Sequence, residues 1–330
     1  MRLAIIILLL FFPVKAFTQN TLFESNELLT FDLQADFTEL LSERYKEDFT
    51  TSGIITMISP ENNKLPVKIS VRGNYRREES NCEFPPLWLK NRNETDEIDR
   101  VKKIKLVTHC NNDPKFEQYL LREYLIYKMY NQFTEASYRV RLCRITFLDG
   151  QQKLFTRYAF LIEENKKLAK RIGAKKVKEL LIPEDIPDYT NTALISFFQL
   201  MIGNTDWYMP DHNIKVYSRK TESDTLYIPY DFDLCGMVNK PGSVPRVGLS
   251  IKNIQARYYL GHCRDEHQIN DMVDLFLKKQ DILHQLVLEF PHMNKDEKQP
   301  ILDYMNEFYT LLSDPTRIRN MIKSSCSSYY

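Results

Sequence analysis

The most informative part of the sequence reads Met201-Ile-Gly-Asn-Thr-Asp-Trp-Tyr-Met-Pro-Asp-His-Asn-Ile-Lys-Val-Tyr217, and Tyr227-Ile-Pro-Tyr-Asp-Phe-Asp-Leu-Cys-Gly236 follows soon after it. A helix-like apolar run ends at Gly203, and the polar loop after it contains Asp206, Asp211, His212 and Asn213. Two short apolar runs then flank a polar stretch, which predicts a pair of hairpin strands. The open end of a hairpin brings its two ends together, so Asn213 and Asp231 are predicted to be neighbours.

The polar side chains around this predicted hairpin are of the type that binds a hard divalent cation. Asn213 carries an amide oxygen, and Asp231 and Asp233 carry carboxylates. Mg²⁺ and Mn²⁺ prefer such oxygen ligands and also bind substrate phosphates. A further carboxylate beside the metal, here Asp206, is what phosphoryl transfer uses to orient an attacking hydroxyl. Alone, an Asp-Phe-Asp turn is more often a solvated loop, so the prediction depends on the combination of both motifs.

These motifs resemble the CotH-like atypical protein kinases and, more distantly, the HipA-like and phosphoinositide-kinase-like groups. The resemblance is best at Gly203-Asn-Thr-Asp-Trp207, His212-Asn-Ile-Lys-Val-Tyr217 and Ile228-Pro-Tyr-Asp-Phe-Asp-Leu234. Weaker patches lie upstream, at Val67-Lys-Ile-Ser-Val-Arg-Gly-Asn74, Leu87-Trp-Leu-Lys90, Leu120-Leu-Arg-Glu123 and Arg157-Tyr-Ala-Phe-Leu-Ile-Glu163. The resemblance implies an α+β, bilobal atypical kinase-like fold, with a strand-rich N-lobe and a mainly helical C-lobe.

The resemblance also implies roles for the polar residues and names the cofactors. Asp206 is the implied catalytic acid/base, Asn213 and Asp231 are the implied metal ligands, and ATP with Mg²⁺ or Mn²⁺ is the implied cofactor set. Asp233 is implied as a support or second ligand. Related kinases place the Asn about five residues after the catalytic Asp, whereas Asn213 is seven residues after Asp206. Either the loop bulges by two residues around Met209-Pro210, which the match at Thr-Asp-Trp favours, or Asp211 has taken the role.

The nucleotide-binding residues have several candidates. Lys90 is the favoured ATP-positioning lysine and Lys105 the second choice, both on predicted strands. Glu123, on a predicted helix, would pair with that lysine as in other kinases. The hinge that contacts adenine is expected near residues 161–164, with Glu163 among them. Each residue also has a purely structural interpretation, because a lysine on a strand or a glutamate on an amphipathic helix is often only a solvated charge.

Hydrophobic periodicity predicts a first half rich in strands and a largely helical second half. The predicted strands are 53–59, 65–72, 86–90, 103–107, 140–147, 153–162, 213–217 and 226–230. The predicted helices are 114–132, 192–203, 268–290 and 295–312, with a short helix or edge element near 37–45. This order predicts a bilobal α+β arrangement. Together with the resemblance it implies one kinase-like domain over residues 20–330, with an N-lobe at about 20–163 and a C-lobe at about 164–330.

The first nineteen residues have the layout of a secretory signal peptide. Arg2 precedes an apolar run from Leu3 to Val14, and the small residue Ala16 follows. An uncleaved anchor is the alternative, but no later stretch approaches the ~20 apolar residues of a membrane helix. We therefore expect a periplasmic or secreted protein with no stable membrane span after signal cleavage. Its implied acceptor is an exported protein or glycan.

Charge and cysteine content narrow the function further. The 45 basic and 44 acidic residues nearly balance, which argues against nucleic-acid binding. Six cysteines in an exported chain permit disulfides, and proximity in the sequence favours Cys82–Cys110 and Cys235–Cys263. The spacing of Cys and His does not suggest zinc. Two alternatives to an active enzyme stay open, a catalytically inactive kinase-like protein for binding or surface assembly, and a glycan-binding protein with an unrelated α+β fold.

Overall fold

The computed structural model describes residues 21–58, 63–91, 103–177, 189–209, 211–219 and 225–327. The predicted signal peptide at 1–19 lies outside these ranges, so its assignment stays a prediction. Among the helices within them, none is both long enough and apolar enough to cross a bilayer.

Seven strands of the first half form a closed barrel in the order β1-β2-β3-β4-β5-β7-β6. The strands are β1 (Leu29–Ala35), β2 (Thr51–Met57), β3 (Lys64–Val71), β4 (Leu87–Asn91), β5 (Ile104–Val107), β6 (Val140–Asp149) and β7 (Gln152–Ile162). All neighbouring strands are antiparallel except β1 and β6, which pair in parallel and close the barrel. The prediction of a strand-rich first half is confirmed, but its strands form a closed barrel and not the N-lobe of a standard bilobal kinase.

The barrel interior follows the period-two pattern of its strands. One side chain in two points inward, and the buried set includes Leu33, Ile69, Leu87, Leu89, Leu106 and Ile145. Helix α1 (Phe37–Ser42) follows β1 and packs Phe37 against this core. Asp36 caps the helix, since its Oδ1 accepts a hydrogen bond from Glu39 N at 2.7 Å. On β4, Leu87 and Leu89 point into the barrel core. The alternate residues Trp88 and Lys90 therefore face away from it.

The rest of the chain is mainly helical and has a second, larger core. Its helices are α2 (Phe116–Tyr130), α3 (Asn165–Arg171), α4 (Tyr189–Ile202), α5 (Glu266–Leu288), α6 (Lys295–Leu312) and α7 (Pro315–Ser325). A three-stranded sheet, ordered β10-β9-β8, adds β8 (Lys175–Lys176), β9 (Ile214–Ser218) and β10 (Thr225–Pro229). Helix α2 packs against both the barrel strands and α5, and ten of its fifteen residues are therefore buried. The predicted helical second half is confirmed, while the domain boundaries at 20, 163 and 330 stay predictions.

Four elements, β1, α3, β8 and α7, were not predicted, and two of them, β1 and α7, have clear sequence signals. Strand β1 alternates Leu29, Phe31, Leu33 and Ala35 with polar residues, which is the period of a half-buried strand. Helix α7 begins at Pro315 directly after the capping residue Asp314, whose Oδ1 accepts from Arg317 N at 3.0 Å. The first omission matters most, because without β1 the sheet has no strand with which to close.

The cysteine pairing differs in part from the prediction. Cys82–Cys110 is confirmed, whereas Cys263 is bonded to Cys326, and Cys143 and Cys235 are buried free thiols. The predicted Cys235–Cys263 pair is therefore wrong. Helix α7 returns the chain to residue 263, where Cys263 N donates a hydrogen bond to Ser327 O at 2.9 Å. Proximity in space, not in sequence, decides the partner.

Replacing both Cys263 and Cys326 by Ser is expected to lower the free energy of unfolding by about 2–4 kcal/mol, because the bond closes a long loop in the unfolded chain. Urea denaturation measures the loss. Peptide mapping without reduction is expected to recover Cys82–Cys110 and Cys263–Cys326. A peptide linking Cys235 to Cys263 would contradict the assignment.

Candidate functional site

The hairpin of β9 and β10 brings the predicted metal-binding residues together. Ile214 pairs with Pro229, and just beyond this pair Tyr230 N donates to Asn213 O at 3.0 Å. Asn213 and Asp231 both have left-handed backbone, with φ of 54° and 63°. Asn and Asp adopt this conformation more readily than most residues. The two side chains therefore project from adjacent turns at the open end of the hairpin.

Asp206 lies directly beside Asn213. Asn213 Nδ2 donates to Asp206 Oδ2 at 3.0 Å and to its backbone oxygen at 2.7 Å. His212 Nε2 lies 2.8 Å from Asp206 Oδ1. The chain between them folds back on itself, since Tyr208 and His212 exchange two backbone hydrogen bonds of 3.1 Å. The seven-residue interval is thus accommodated by a local loop, and it is Asp206, not exposed Asp211, that contacts Asn213; Pro210 lies outside the described residues.

A buried asparagine anchors the loop that carries Asp206. Asn204 is 1% exposed, and its Oδ1 accepts from Asp206 N at 2.9 Å. Its Nδ2 donates to Gln199 Oε1 at 3.0 Å, and its backbone oxygen accepts from Trp207 Nε1 at 3.2 Å. Asn204 stands in the quoted motif but was given no role from the sequence. It holds the backbone of Asp206 in place.

Two glycines join the two acidic motifs. Gly236 N donates to Gly203 O at 3.0 Å, so the chain after α4 crosses the chain after Asp233. The hydroxyl of Tyr304, on α6, lies against both glycines and would collide with a Cβ at either position. Gly203 also has a φ of 64°. This close crossing fixes the separation between Asp206 and Asp231.

Arg76 was not predicted as a site residue, yet it forms the strongest ion pair of the acidic turn. It lies in a short 3₁₀ helix (Tyr75–Arg77) after β3, and its Nη2 is 2.5 Å from Asp233 Oδ2 and 3.6 Å from Asp231 Oδ1. Burial opposes its charge, but Asp233 and Asp231 raise the pKa of Arg76 above its ordinary value. The available signal was the Arg72-Gly73-Asn74 turn immediately before it.

Glu123 is buried on α2 beside the same turn. Burial and the neighbouring Asp233 raise the pKa of Glu123 well above its usual range, and Arg76 opposes this shift. Among the described residues neither Lys90 nor Lys105 forms an ion pair with Glu123, so the expected strand-lysine contact is not made. One turn further along α2, Tyr127 Oη accepts a hydrogen bond from Asp231 N at 2.9 Å. Helix α2 thereby supports the acidic turn directly.

Lys105 and Arg72 lie between the outer face of the barrel and the hairpin, in a region that we call the cleft. Trp88 and Lys105 are cross-strand neighbours, and Lys105 Nζ is 5.9 Å from the Trp88 ring and 5.5 Å from the Tyr230 ring. Arg72 Cζ is 5.4 Å from the same Trp88 ring. Burial and the charge of Arg72 lower the pKa of Lys105 to about 8, although Asp231 opposes the shift. No described carboxylate lies within ion-pair distance of either cation.

The other two predicted nucleotide contacts are Lys90, on the outer face of β4 like Trp88, and Glu163, which is buried. Lys90 is opposite Lys68 on the neighbouring strand β3. Glu163 is 4% exposed, and its Oε2 lies 2.6 Å from Arg171 Nη2 and accepts from Arg139 N at 3.2 Å. The Glu163 side chain is therefore committed to a structural ion pair. Adenine binding by residues 161–164 stays a prediction. Such binding would use backbone atoms, because the Glu163 side chain is already paired.

The donor set fits a divalent ion at Asn213 and Asp231. No group of three or more His, Cys, Asp or Glu with metal-binding geometry occurs in the described ranges. Asp231 keeps 43% of its side chain exposed, and no described residue donates to Asn213 Oδ1. A carboxylate and an amide oxygen with room for water and phosphate oxygens suit Mg²⁺ or Mn²⁺. Asp233 is 14% exposed and is already bonded to Arg76.

No family model and no curated protein matches this chain. It has a weak structural similarity to the crystal structure of a Helicobacter pylori proinflammatory kinase, CtkA, with 11% identity and a TM-score of 0.40. The similarity covers 72% of this chain and 95% of that chain. At this TM-score it carries no argument about the site, which depends on the contacts above.

Gly203→Ala is expected to lower the free energy of unfolding by about 2–4 kcal/mol, because the added Cβ strains a left-handed backbone and meets the Tyr304 hydroxyl. Tyr304→Phe removes that hydroxyl and its hydrogen bond to Gln255 O, at a cost of about 1 kcal/mol. The double variant should recover stability and retain about 1–2 kcal/mol of backbone strain. Strictly additive losses in urea denaturation would show that the contact with Tyr304 is not responsible.

Lys105→Met is expected to raise the free energy of unfolding at pH 7 by about 2–3 kcal/mol. The folded-state pKa of about 8 lies below the ordinary 10.5, so the charged lysine destabilises the folded protein. The penalty is fully present below pH 8 and is lost as the pH rises through 10.5, so the gain should shrink to under about 1 kcal/mol at pH 10. Exposed Lys68→Met is the control, with an expected change within about 0.5 kcal/mol. An equal gain at both pH values would contradict the titration.

Proposed function

We propose that the protein is an exported, atypical kinase-like phosphotransferase that binds ATP and Mg²⁺ or Mn²⁺ in the cleft between barrel and hairpin. One observation carries the proposal. Arg72 and Lys105 are mostly buried without a described carboxylate partner, and both face the turn of Asp231. Burying unpaired cations costs stability, so a protein that keeps them at one place is adapted to a polyanionic ligand.

We propose a role for each group around the cleft. Lys105 and Arg72 bind the phosphates, and Asn213 and Asp231 hold the divalent ion, which neutralises charge on the transferred phosphoryl group. Lys105 is preferred to Lys90, because Lys105 Nζ lies 5.5 Å from the Tyr230 ring and the charge of Asp231 acts on it. Glu123 supports the acidic turn and does not pair with the lysine.

Asp206 is proposed to orient the acceptor hydroxyl and to take its proton. Its carboxylate is 38% exposed beside Asn213, so an acceptor can reach it. The hydrogen bonds from Asn213 and the contact with His212 hold the carboxylate in one orientation, which lowers the cost of alignment during reaction. Transfer then needs only positioning and charge stabilisation from the protein, as expected for phosphoryl transfer.

We further propose that the acceptor is an exported protein or glycan in the periplasm or outside the cell. The signal-like segment at 1–19 supports export. The Cys82–Cys110 and Cys263–Cys326 bonds also support it, since disulfides persist mainly in oxidising compartments.

The alternative function is a catalytically inactive kinase-like protein that binds a ligand in surface assembly. It has one specific observation in its favour. Both carboxylate oxygens of Asp206 are already engaged, one by His212 and the other by Asn213. An Asp so occupied is a weaker base for an incoming hydroxyl, and the protein would then bind nucleotide without transferring phosphate.

The first test is thermal melting of the full mature chain with ATP and Mn²⁺ or Mg²⁺. Ligand at a hundred times its Kd stabilises by about 2.7 kcal/mol, so a rise of several degrees in Tm is expected. Asp231→Ala should abolish the rise, and exposed Asp211→Ala should keep it. No rise with either metal would refute the nucleotide site.

Transfer of labelled phosphate from ATP then separates the two functions. With an active kinase, Asp206→Asn should retain the shift in Tm and lower the transfer rate by at least about a hundredfold. Binding by the wild-type protein without any transfer to itself or to exported proteins and glycans would favour the inactive alternative.

A further inference from the structure

Three acidic side chains surround the guanidinium of Arg76. Its Nη2 lies 2.5 Å from Asp233 Oδ2 and 3.6 Å from Asp231 Oδ1, and the charge of Glu123 also acts on it. Lys240 Nζ is 3.9 Å from the same oxygen of Asp233. Asp233 thus has two cationic neighbours before any ligand binds.

A second divalent ion would need the position that Arg76 holds. Kinases of the general type bind two metal ions between their acidic residues and the phosphates. An Mg²⁺ bound by Asp233 would lie ~2.0–2.1 Å from the carboxylate oxygen. The guanidinium nitrogen is only 2.5 Å from Oδ2, so an ion bound on that side of Oδ2 would collide with the guanidinium.

Arg76 is also held firmly by the barrel side of the molecule. Only 17% of its side chain is exposed, and its backbone oxygen accepts a hydrogen bond from Arg44 Nη2 at 3.3 Å. The Cys82–Cys110 disulfide fixes the same segment a few residues later. The guanidinium cannot lose its charge, and moving it away would leave buried Asp233 and Glu123 with only the more distant Lys240 as a neighbouring cation.

Asp231 differs from Asp233 in each of these respects. Its side chain is 43% exposed, and its distance of 3.6 Å from Arg76 is longer than a hydrogen bond. Its left-handed turn places it next to Asn213. Asp231 therefore remains available to a metal ion on the side facing the cleft.

We infer that Arg76 is a fixed cation in the place of a second metal ion, so that the site binds one divalent ion, through Asn213 and Asp231, and Asp233 is not a ligand. The inference depends on the proposed metal site. It departs from the sequence-based role of Asp233 as a support or second metal ligand. The sequence motif could not show the pairing of Asp233, because Arg76 is far from Asp233 in the chain and only the fold brings the two together.

The test is Mn²⁺ binding to the full mature chain, measured by electron paramagnetic resonance of free Mn²⁺, with and without ATP. One ion per chain is expected in both titrations. Asp233→Asn should change the Mn²⁺ affinity by less than about threefold, and Asp231→Asn should weaken it by at least about tenfold. Neither measurement requires catalytic activity.

Arg76→Met provides the converse test. Removing the guanidinium frees the carboxylates of Asp233 and Glu123, so a second and weaker Mn²⁺ is expected to bind. If this variant does not fold by circular dichroism, Asp233→Asn decides the question alone. Two ions on the wild-type chain, or a tenfold loss of affinity in Asp233→Asn, would overturn this inference but not the proposed metal site. No Mn²⁺ binding at all would overturn the proposed metal site together with it.

Discussion

The structure depends on burying helix α2 between the barrel strands and helix α5. Its apolar side chains join the larger core, while its polar ones contact the acidic turn and the segment after it. Tyr127 Oη accepts from Asp231 N at 2.9 Å, and Arg122 Nη1 donates to Val238 O at 3.1 Å. A buried polar group is costly unless it finds a partner, so the position of α2 determines where the chain from Asp231 to Val238 can lie. The candidate site is placed by packing as much as by its own residues.

Charge at the site is divided between paired and unpaired cations. Arg76 is bonded to Asp233, whereas Arg72 and Lys105 have no described carboxylate within ion-pair distance and approach aromatic rings instead. A paired buried cation contributes to structure, and an unpaired one leaves attraction for a ligand. The lowered pKa of Lys105 is the physical sign of a buried cation without a carboxylate partner. The stability lost at Lys105 and the proposed affinity for an anion therefore have the same origin.

Much of the local structure could be predicted, because it depends on residues close together in the chain. The hairpin, helix α2 and most barrel strands follow from periods of 2 and 3.6. The neighbourhood of Asn213 and Asp231 follows from the hairpin alone. Strand β1 has the same alternating signal, so it too is encoded locally. Cys235–Cys263 failed for a deeper reason, since helix α7 brings Cys326 from a distant part of the chain to Cys263.

The sequence by itself determined the element types and the grouping of Asp206, Asn213 and Asp231, because turns and strand periods are encoded locally. Only the tertiary structure decided that the sheet closes, that Lys105 lies near Asp231, and that Arg76 is bonded to Asp233. Closure needs β1 to pair in parallel with β6, which lies over a hundred residues away in the chain. Arg76 and Asp233 are also far apart in sequence. Such contacts depend on how the barrel packs against α2, and no local pattern records that arrangement.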